Sequence, residues 1–442
     1  MKMRPLFLFA LMSFGGANAL AIEAETTSTP AAEPADAALS LAHLLRTATA
    51  HNLAAIEARA QRERAEASET IALSSMLPQL SLEGGADTDS VSSGGIYLRQ
   101  SLLDSGSRWR AHRIAQRELE QAKLLEKQAL ESLTLELLRA YVRVSSVARS
   151  MAATERRQSL LETQFDLMSR QYRQGLKTRR DFQRLETERE RVALQILKSR
   201  ETLNESFQAL EVLVGDPTLD LNPSTLHLLR AEELAEHKDW PPIPSEFDPA
   251  RDNLNLRAAA LSLEAADLRV AEARRLYWPQ ISAQASLSYA SSGFLGSEAQ
   301  AWSRNDDLRT YAGLSLKWVL WDWGANSASV AQARIGRSLV ERQSAQKKLV
   351  IEHSFEDLRA RAQRQERAVA VQRKVRDMEA EIFLDMNKEY REGRAGYLDL
   401  ITTLDRSVQA ELDYENEALD AFTATAELLS LKGDLHDAVL KF

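Results

Sequence analysis

The stretch Tyr172-Arg173-Gln174-Gly175 is answered by Tyr390-Arg391-Glu392-Gly393, and the spacing of 218 residues between them recurs down most of the chain. It pairs Gly95 with Gly313, Asp104 with Asp322, Gly106 with Gly324, Asp181 with Asp399 and Gly215 with Gly433, and it runs without a gap from Gly95 to Asp216. Upstream the match continues at a spacing of 201, with Asn52-Leu53 against Asn253-Leu254 and Leu77-Pro78-Gln79-Leu80-Ser81 against Trp278-Pro279-Gln280-Ile281-Ser282. The second copy therefore holds 17 extra residues between Pro279 and Gly313. A period this long marks a duplicated structural half, since solenoid units repeat every ~20 to 50 residues. The fold must be one unit built twice.

Proline is missing from Gln79 to Asp216 and from Gln280 to Phe442, which removes the strongest helix breaker from both copies. From Ser107 to Tyr172, Leu130, Leu133, Leu137, Ala140, Val144, Val147 and Met151 alternate steps of three and four. That is a coiled-coil seam, and it resumes at Leu161, Phe165, Met168 and Tyr172. A single helix over this span would be about 100 Å long, with a repeat partner from Ala325 to Tyr390. Gly175 and Gly393 are placed to end these helices as left-handed caps. A returning helix then carries Phe182, Leu185, Val192, Ile196, Leu203, Leu210 and Leu213 to Val214. Further helices are expected from Leu41 to Met76 and from Leu254 to Tyr277. Stacked end to end with the returning helices, they would match the long helices in length and make a rod.

After Pro279 the period changes to two. Ile281, Ala283, Ala285, Leu287 and Tyr289 alternate with Ser282, Gln284, Ser286 and Ser288, and Ala312, Leu314, Leu316, Trp318 and Leu320 alternate with Gly313, Ser315 and Lys317. Such strands have one apolar and one wet face. Weaker equivalents lie at Leu80 to Asp87 and Gly95 to Leu103, each near the ~9 to 11 residues that cross a bilayer as a tilted strand. Tyr277, Trp278, Trp318, Trp321 and Trp323 cluster where strands meet helices, as an interfacial aromatic girdle would. Core aromatics of a soluble sheet are the plainer alternative, but the serine-rich opposite face argues against a sheet covered by helices.

Residues 1–21 have the layout of a secretory signal, with Lys2 and Arg4 before an apolar run and Ala19 or Ala21 as the cleavage point. Residues 22–39 read as a disordered polar leader. There is no cysteine, which excludes disulfides, thiolate metal sites and a cysteine nucleophile. A formal charge of -8 disfavours nucleic acid. The seven histidines are scattered outside any ligand pattern, and no phosphate loop or nucleophile elbow is present, so no catalytic, cofactor or metal residue is proposed.

Two repeats supply four strands, and four cannot close a barrel. Lipid tolerates no open sheet edge, so strands must be shared with further copies of the chain. Three copies would give twelve strands, whereas two would give eight and leave no duct. The order of helix, Leu-Pro-Gln-Leu-Ser, strands, Asp-x-Gly, long helix, Tyr-x-x-Gly tip and returning helix, written twice, resembles the TolC-like outer membrane efflux protein family.

That resemblance covers about Ser40 to Leu435 and implies a mainly α fold with a small β part: a duplicated α-helical barrel plus a trimeric 12-stranded transmembrane β-barrel, four strands per chain. It implies repeats over 40–216 and 251–434, an equatorial insert at 217–250, and a C-terminal tail at 435–442. As function it implies a homotrimeric channel-tunnel in the bacterial outer membrane, extending into the periplasm. Such a duct serves a tripartite efflux pump or type I secretion system, docked to a periplasmic membrane fusion (adaptor) protein and an inner-membrane RND or ABC transporter. Asp181 and Tyr390 would then join the links that close the periplasmic gate, and three copies of Asp399 would form an acidic ring. Gly175, Leu176, Thr178, Gly393 and Arg394 would receive the adaptor. Ala395 and Thr402 depart from the family's charged gate residues. The rival from another class is a soluble periplasmic coiled-coil adaptor or scaffold, which would need no apolar band.

Overall fold

The computed structural model describes residues 39–86, 91–175, 178–219, 221–222, 225–236, 240–244, 246–292, 307–392 and 394–441. The expected signal, most of the leader and most of the enlarged loop after the third strand lie outside them. Two long helices dominate, α3 (Ser107–Arg173) and α8 (Ala325–Arg391), each of 67 residues. Beside α3 run α2 (Leu53–Ser74) and α4 (Arg179–Val214), and beside α8 run α7 (Leu254–Ala273) and α9 (Tyr397–Lys432). α3 also packs on α7 and α9, so four columns lie side by side in the order α2/α4, α3, α7/α9, α8. Gly175, at φ 75°, ends α3 in the left-handed region expected of it. Gly393 lies outside the described residues.

The helix expected from Leu41 to Met76 is broken. α1 (Leu41–His51) stops at Asn52, whose ψ of 132° is extended, and α2 begins immediately after it. Asn52 takes both jobs at the break: Oδ1 accepts from the Ala54 N–H at 2.8 Å, and Nδ2 donates to the Leu213 carbonyl at the end of α4, also at 2.8 Å. Its repeat partner Asn253 does the same between α9 and α7, accepting from Leu256 N–H at 3.1 Å and donating to the Leu431 carbonyl at 2.7 Å. Each asparagine thus caps one helix and satisfies a terminal carbonyl of another, splicing two short helices into one column. The splice is tight. At Gly215, φ 74°, an added Cβ would stand 3.1 Å from the His51 carbonyl oxygen.

The helix expected to reach Tyr277 gives way at Arg274–Tyr277 to a 3-10 turn, because Pro279 is near and the chain must enter a strand. Four strands follow the family of motifs as expected: β1 (Gln79–Ala86), β2 (Val91–Leu103), β3 (Gln280–Ser292) and β4 (Asp307–Lys317). They form one antiparallel sheet in chain order. β4 stops at Lys317, so Trp318 to Leu320, which continue the alternation, lie beyond the strand. The strands turn into the long helices through two matched elbows. Asp104 accepts from Gly106 and Arg108 N–H groups, and Asp322 from Gly324 and Asn326, while Ser105 and Trp323 take positive φ.

The largest apolar core sits at mid-height, where Leu137, Leu138, Tyr141 and Val144 of α3 meet Leu210 and Val214 of α4 and Leu44 and Leu45 of α1. α10 (Leu435–Lys441), in the C-terminal tail, docks there through fully buried Leu435 and Val439. The insert between the repeats straps the columns at this level. It contains α5 (Ala231–Glu236) and α6 (Pro249–Asp252); Tyr141 donates to its His227 carbonyl, Trp240 packs on Phe422 at 4.2 Å, and Phe247 stacks on Phe355 at 4.4 Å.

Candidate functional site

The sheet sorts its side chains cleanly. Register places Ile281 opposite Leu316, Ala283 opposite Leu314, Leu80 opposite Leu98 and Leu82 opposite Ile96 on one face. On the other, Ser282 faces Ser315 with hydroxyls 2.6 Å apart, and Gln284 faces Gly313. No element covers the apolar face among the described residues: Leu82 is 82% exposed, Leu314 69% and Leu316 67%. In water this arrangement would be costly, because every exposed leucine forfeits its burial free energy of ~2 kcal/mol. β1 and β4 are edge strands within the chain.

The aromatic residues gather at the helix end of this sheet. Trp318 Nε1 donates to the Tyr277 carbonyl at 3.3 Å, and Trp321 meets Trp323 edge to face at 5.7 Å. Trp278 and these four are all exposed, Trp323 most of all. Amphipathic rings held open beside an apolar band suit a membrane interface.

At the opposite end of the rod the hairpin tips lie apart from this band. Tyr172 stacks on Phe182 at 5.2 Å to close the α3–α4 hairpin, and Gly175 N–H donates to the Tyr172 carbonyl. In the second tip Arg394 pairs with Glu392. Thr178 is exposed and supplies the carbonyl that accepts from Phe182 N–H, Leu176 and Gly393 lie outside the described residues, and so does the Asp181 side chain. Tyr390 crosses from α8 to α3, its hydroxyl donating to Gln164 Oε1 at 3.3 Å. Burial pushes its phenol pKa up, so it stays a donor. Asp399 is exposed in the first turn of α9, where its carboxylate suits the helix dipole.

One strong link was not foreseen. Arg157 on α3 reaches Glu188 on α4 at 2.7 Å and Asp405 on α9 at 2.9 Å, tying both hairpins together. Burial, then the charge of Glu188, raises the Asp405 pKa against the opposing effect of Arg157. Sequence reading treats a lone charge on a helix as a solvated face. Only the register between α3 and α9 shows otherwise.

Residues 44–216 match the family described as outer membrane efflux protein. The whole fold is that of the TolC-like channels. The Campylobacter jejuni outer membrane channel CmeC superposes with a TM-score of 0.74 at 13% identity, covering 89% of this chain and 86% of that one. The Vibrio cholerae outer membrane protein VceC gives 0.69 at 17% identity, covering 89% and 96%. The open state of the Neisseria gonorrhoeae channel MtrE gives 0.71 at 18%, covering 89% of each. A comparison with curated proteins found no match. The solved structures that share this fold are outer-membrane channels and an outer membrane protein. Among the described residues no helix is long and apolar enough to cross a membrane.

Proposed function

We propose that three copies of this chain form a passive outer-membrane duct, which receives cargo at its periplasmic helical tips from an adaptor protein and an inner-membrane RND or ABC transporter. The observation that carries this reading is the four-stranded sheet with an uncovered leucine face, a hydroxyl-rich opposite face and two edges. In lipid the leucine face is at home, and the edges pair with those of neighbouring copies. The up-and-down order makes β4 antiparallel to β1 of the next copy. The hydroxyl-rich face then lines the pore. Tyr277, Trp278, Trp318, Trp321 and Trp323 anchor the barrel at the headgroups. Gly175, Leu176, Thr178, Gly393 and Arg394 present the tips to the adaptor.

In this duct the tips shut by keeping the α8–α9 hairpin against the α3–α4 hairpin. Tyr390 to Gln164 and Arg157 to Asp405 cross that seam, with Asp181 beside the tip and three Asp399 carboxylates at the aperture. Such an acidic ring favours cations. Detergent-extracted protein in a planar bilayer should show low conductance that rises in Tyr390→Phe, Asp181→Asn and Asp405→Asn. Glu188→Gln is the control: Glu188 shares a hairpin with Arg157, so its loss leaves the crossing link intact and conductance low. Acidification should open the wild type at a higher pH than an ordinary aspartate would allow, because the Asp405 pKa is raised. Equal conductance in Asp405→Asn and Glu188→Gln would remove Arg157–Asp405 from the gate. Recovery of the protein in a detergent-free soluble fraction would remove the duct.

A further inference from the structure

A cavity of about 440 Å³ opens where α3 and α7 meet the sheet, with Leu103, Arg110, Arg274, Arg275, Trp278 and Pro279 in its lining. One wall is basic. Arg110 Nε lies 2.9 Å from Glu272 Oε2, and Arg275 pairs with the same carboxylate, whose Oε1 also accepts from the Ser107 hydroxyl at 2.6 Å. Glu272 thus fixes two guanidiniums in place. Arg110 Nη2 is buried with no hydrogen-bond partner, and the exposed Arg274 pairs with no carboxylate among the described residues. Asp104, the other acid of this elbow, is held by Arg108 and by backbone N–H groups. Three guanidiniums against one carboxylate leave the pocket an excess of two positive charges.

The opposite wall is apolar. A bulge between Ser101 and Leu103 sets Leu103 opposite Ile281, on the face that carries Leu314 and Leu316. Pro279, two residues before Ile281, falls on that side by the alternation, and Trp278 stands 65% exposed at the border. The cavity therefore opens at the helix end of the leucine band. The duplicated elbow lacks this chemistry: Arg110, Glu272, Arg274 and Arg275 correspond to Ala328, Ile71, Leu73 and Ser74. The same turn from helix to strand is made there without charge, so the arginines are not a requirement of the fold.

We infer that this pocket binds the phosphodiester of an anionic glycerophospholipid from the periplasmic leaflet. Arg110, Arg274 and Arg275 face the phosphate, Trp278 sits at headgroup level, and the acyl chains run along Leu103 and the leucine face. This rests on the duct reading above, which puts that face in lipid, and adds a ligand to it. Guanidiniums match phosphate oxygens in a planar fork, and basic pockets at a membrane surface hold anionic headgroups. The apolar wall commits the site to a lipid, since free phosphate has no use for it.

Detergent-purified protein is titrated with phosphatidylglycerol or phosphatidylcholine, and bound lipid is counted by native mass spectrometry, which reads the oligomer in the same spectrum. Phosphatidylglycerol should be retained in preference, one per chain. Arg274→Ala should weaken its retention about fivefold, and Arg274→Glu, a charge reversal at the same exposed site, should abolish it. Arg373→Ala, the same loss of charge at an exposed position toward the tip end of α8, should bind as the wild type does. A large excess of inorganic phosphate should not displace the lipid. Equal retention of the two lipids, or unchanged retention in both Arg274 variants, overturns the pocket, and displacement by inorganic phosphate makes it a free-anion site instead. Oligomers without a lipid preference remove the pocket alone, whereas recovery in a detergent-free soluble fraction removes the duct and the pocket with it.

Discussion

Asn253→Ala should lower the local stability of the α9–α7 junction by about 3 kcal/mol, the sum of a lost helix cap and an orphaned buried carbonyl. Asn253 is 1% exposed, and its two hydrogen bonds serve different helices. Alanine leaves the Leu431 carbonyl without its donor in a place water reaches poorly, and leaves the first turn of α7 uncapped. Amide exchange in detergent-solubilised protein reads the effect: protection around 254–258 and 429–436 should fall about a hundredfold. Asn52→Ala, at a half-buried site with the same pair of bonds, should cost about half as much. Unchanged protection at both junctions would mean that packing alone aligns the stacked helices.

Glu131→Gln should make the protein more stable at pH 8 and leave it unaltered near pH 4. Glu131, only 4% exposed on α3, accepts from the backbone N–H groups of Leu435 and His436 at the start of α10. Burial pushes its pKa up to about 7, the two N–H donors oppose this, and the charges of Asp434 and Asp437 add to it. His436, whose pKa is lowered by burial, lies with Nδ1 3.0 Å from Thr134 Oγ1; that hydroxyl already donates to the Leu130 carbonyl, so Nδ1 carries the hydrogen. The sign follows from proton binding. Between pH 4.5 and 7 the folded chain holds a proton that the unfolded chain has released, so stability is highest below 4.5 and declines through 7. A rise of this size corresponds to about 3 kcal/mol. Urea titrations followed by far-UV circular dichroism should show the wild type losing that amount from pH 4.5 to 8, with the glutamine variant flatter. Parallel pH curves would mean that Glu131 ionises without cost.

Much of the architecture was legible because helices this long announce themselves by period and by missing proline. The seam predicts a helix from Ser107 to Tyr172, and α3 begins at Ser107 and ends one residue later, at Arg173. The strands were legible where one face is uniformly apolar. The break at Asn52 was not, although Asn52-Leu53 and Asn253-Leu254 had already marked the repeat. An asparagine inside an amphipathic run looks like a weak helix residue, and its partner carbonyl lies 161 positions away. β4 outlasted its hydrogen bonds in the sequence because Trp318 and Leu320 keep the period of two after the ladder ends. Arg157 escaped for a different reason: its meaning depends on Glu188 and Asp405, on two other helices. Among the tip residues, position was readable from the repeat, but bonding was not. The Tyr390 hydroxyl finds Gln164, a residue with no distinguishing mark in the sequence.

The two long helices contain the same number of residues, and each is flanked by a spliced column that must span the same distance. They behave as matched gauge blocks. A heptad removed from α3 alone would shorten one wall by about 10 Å and leave the mouth slanted. Any lineage that lengthens or trims this rod must therefore edit four columns together, so its length is inherited as a single quantity rather than as four.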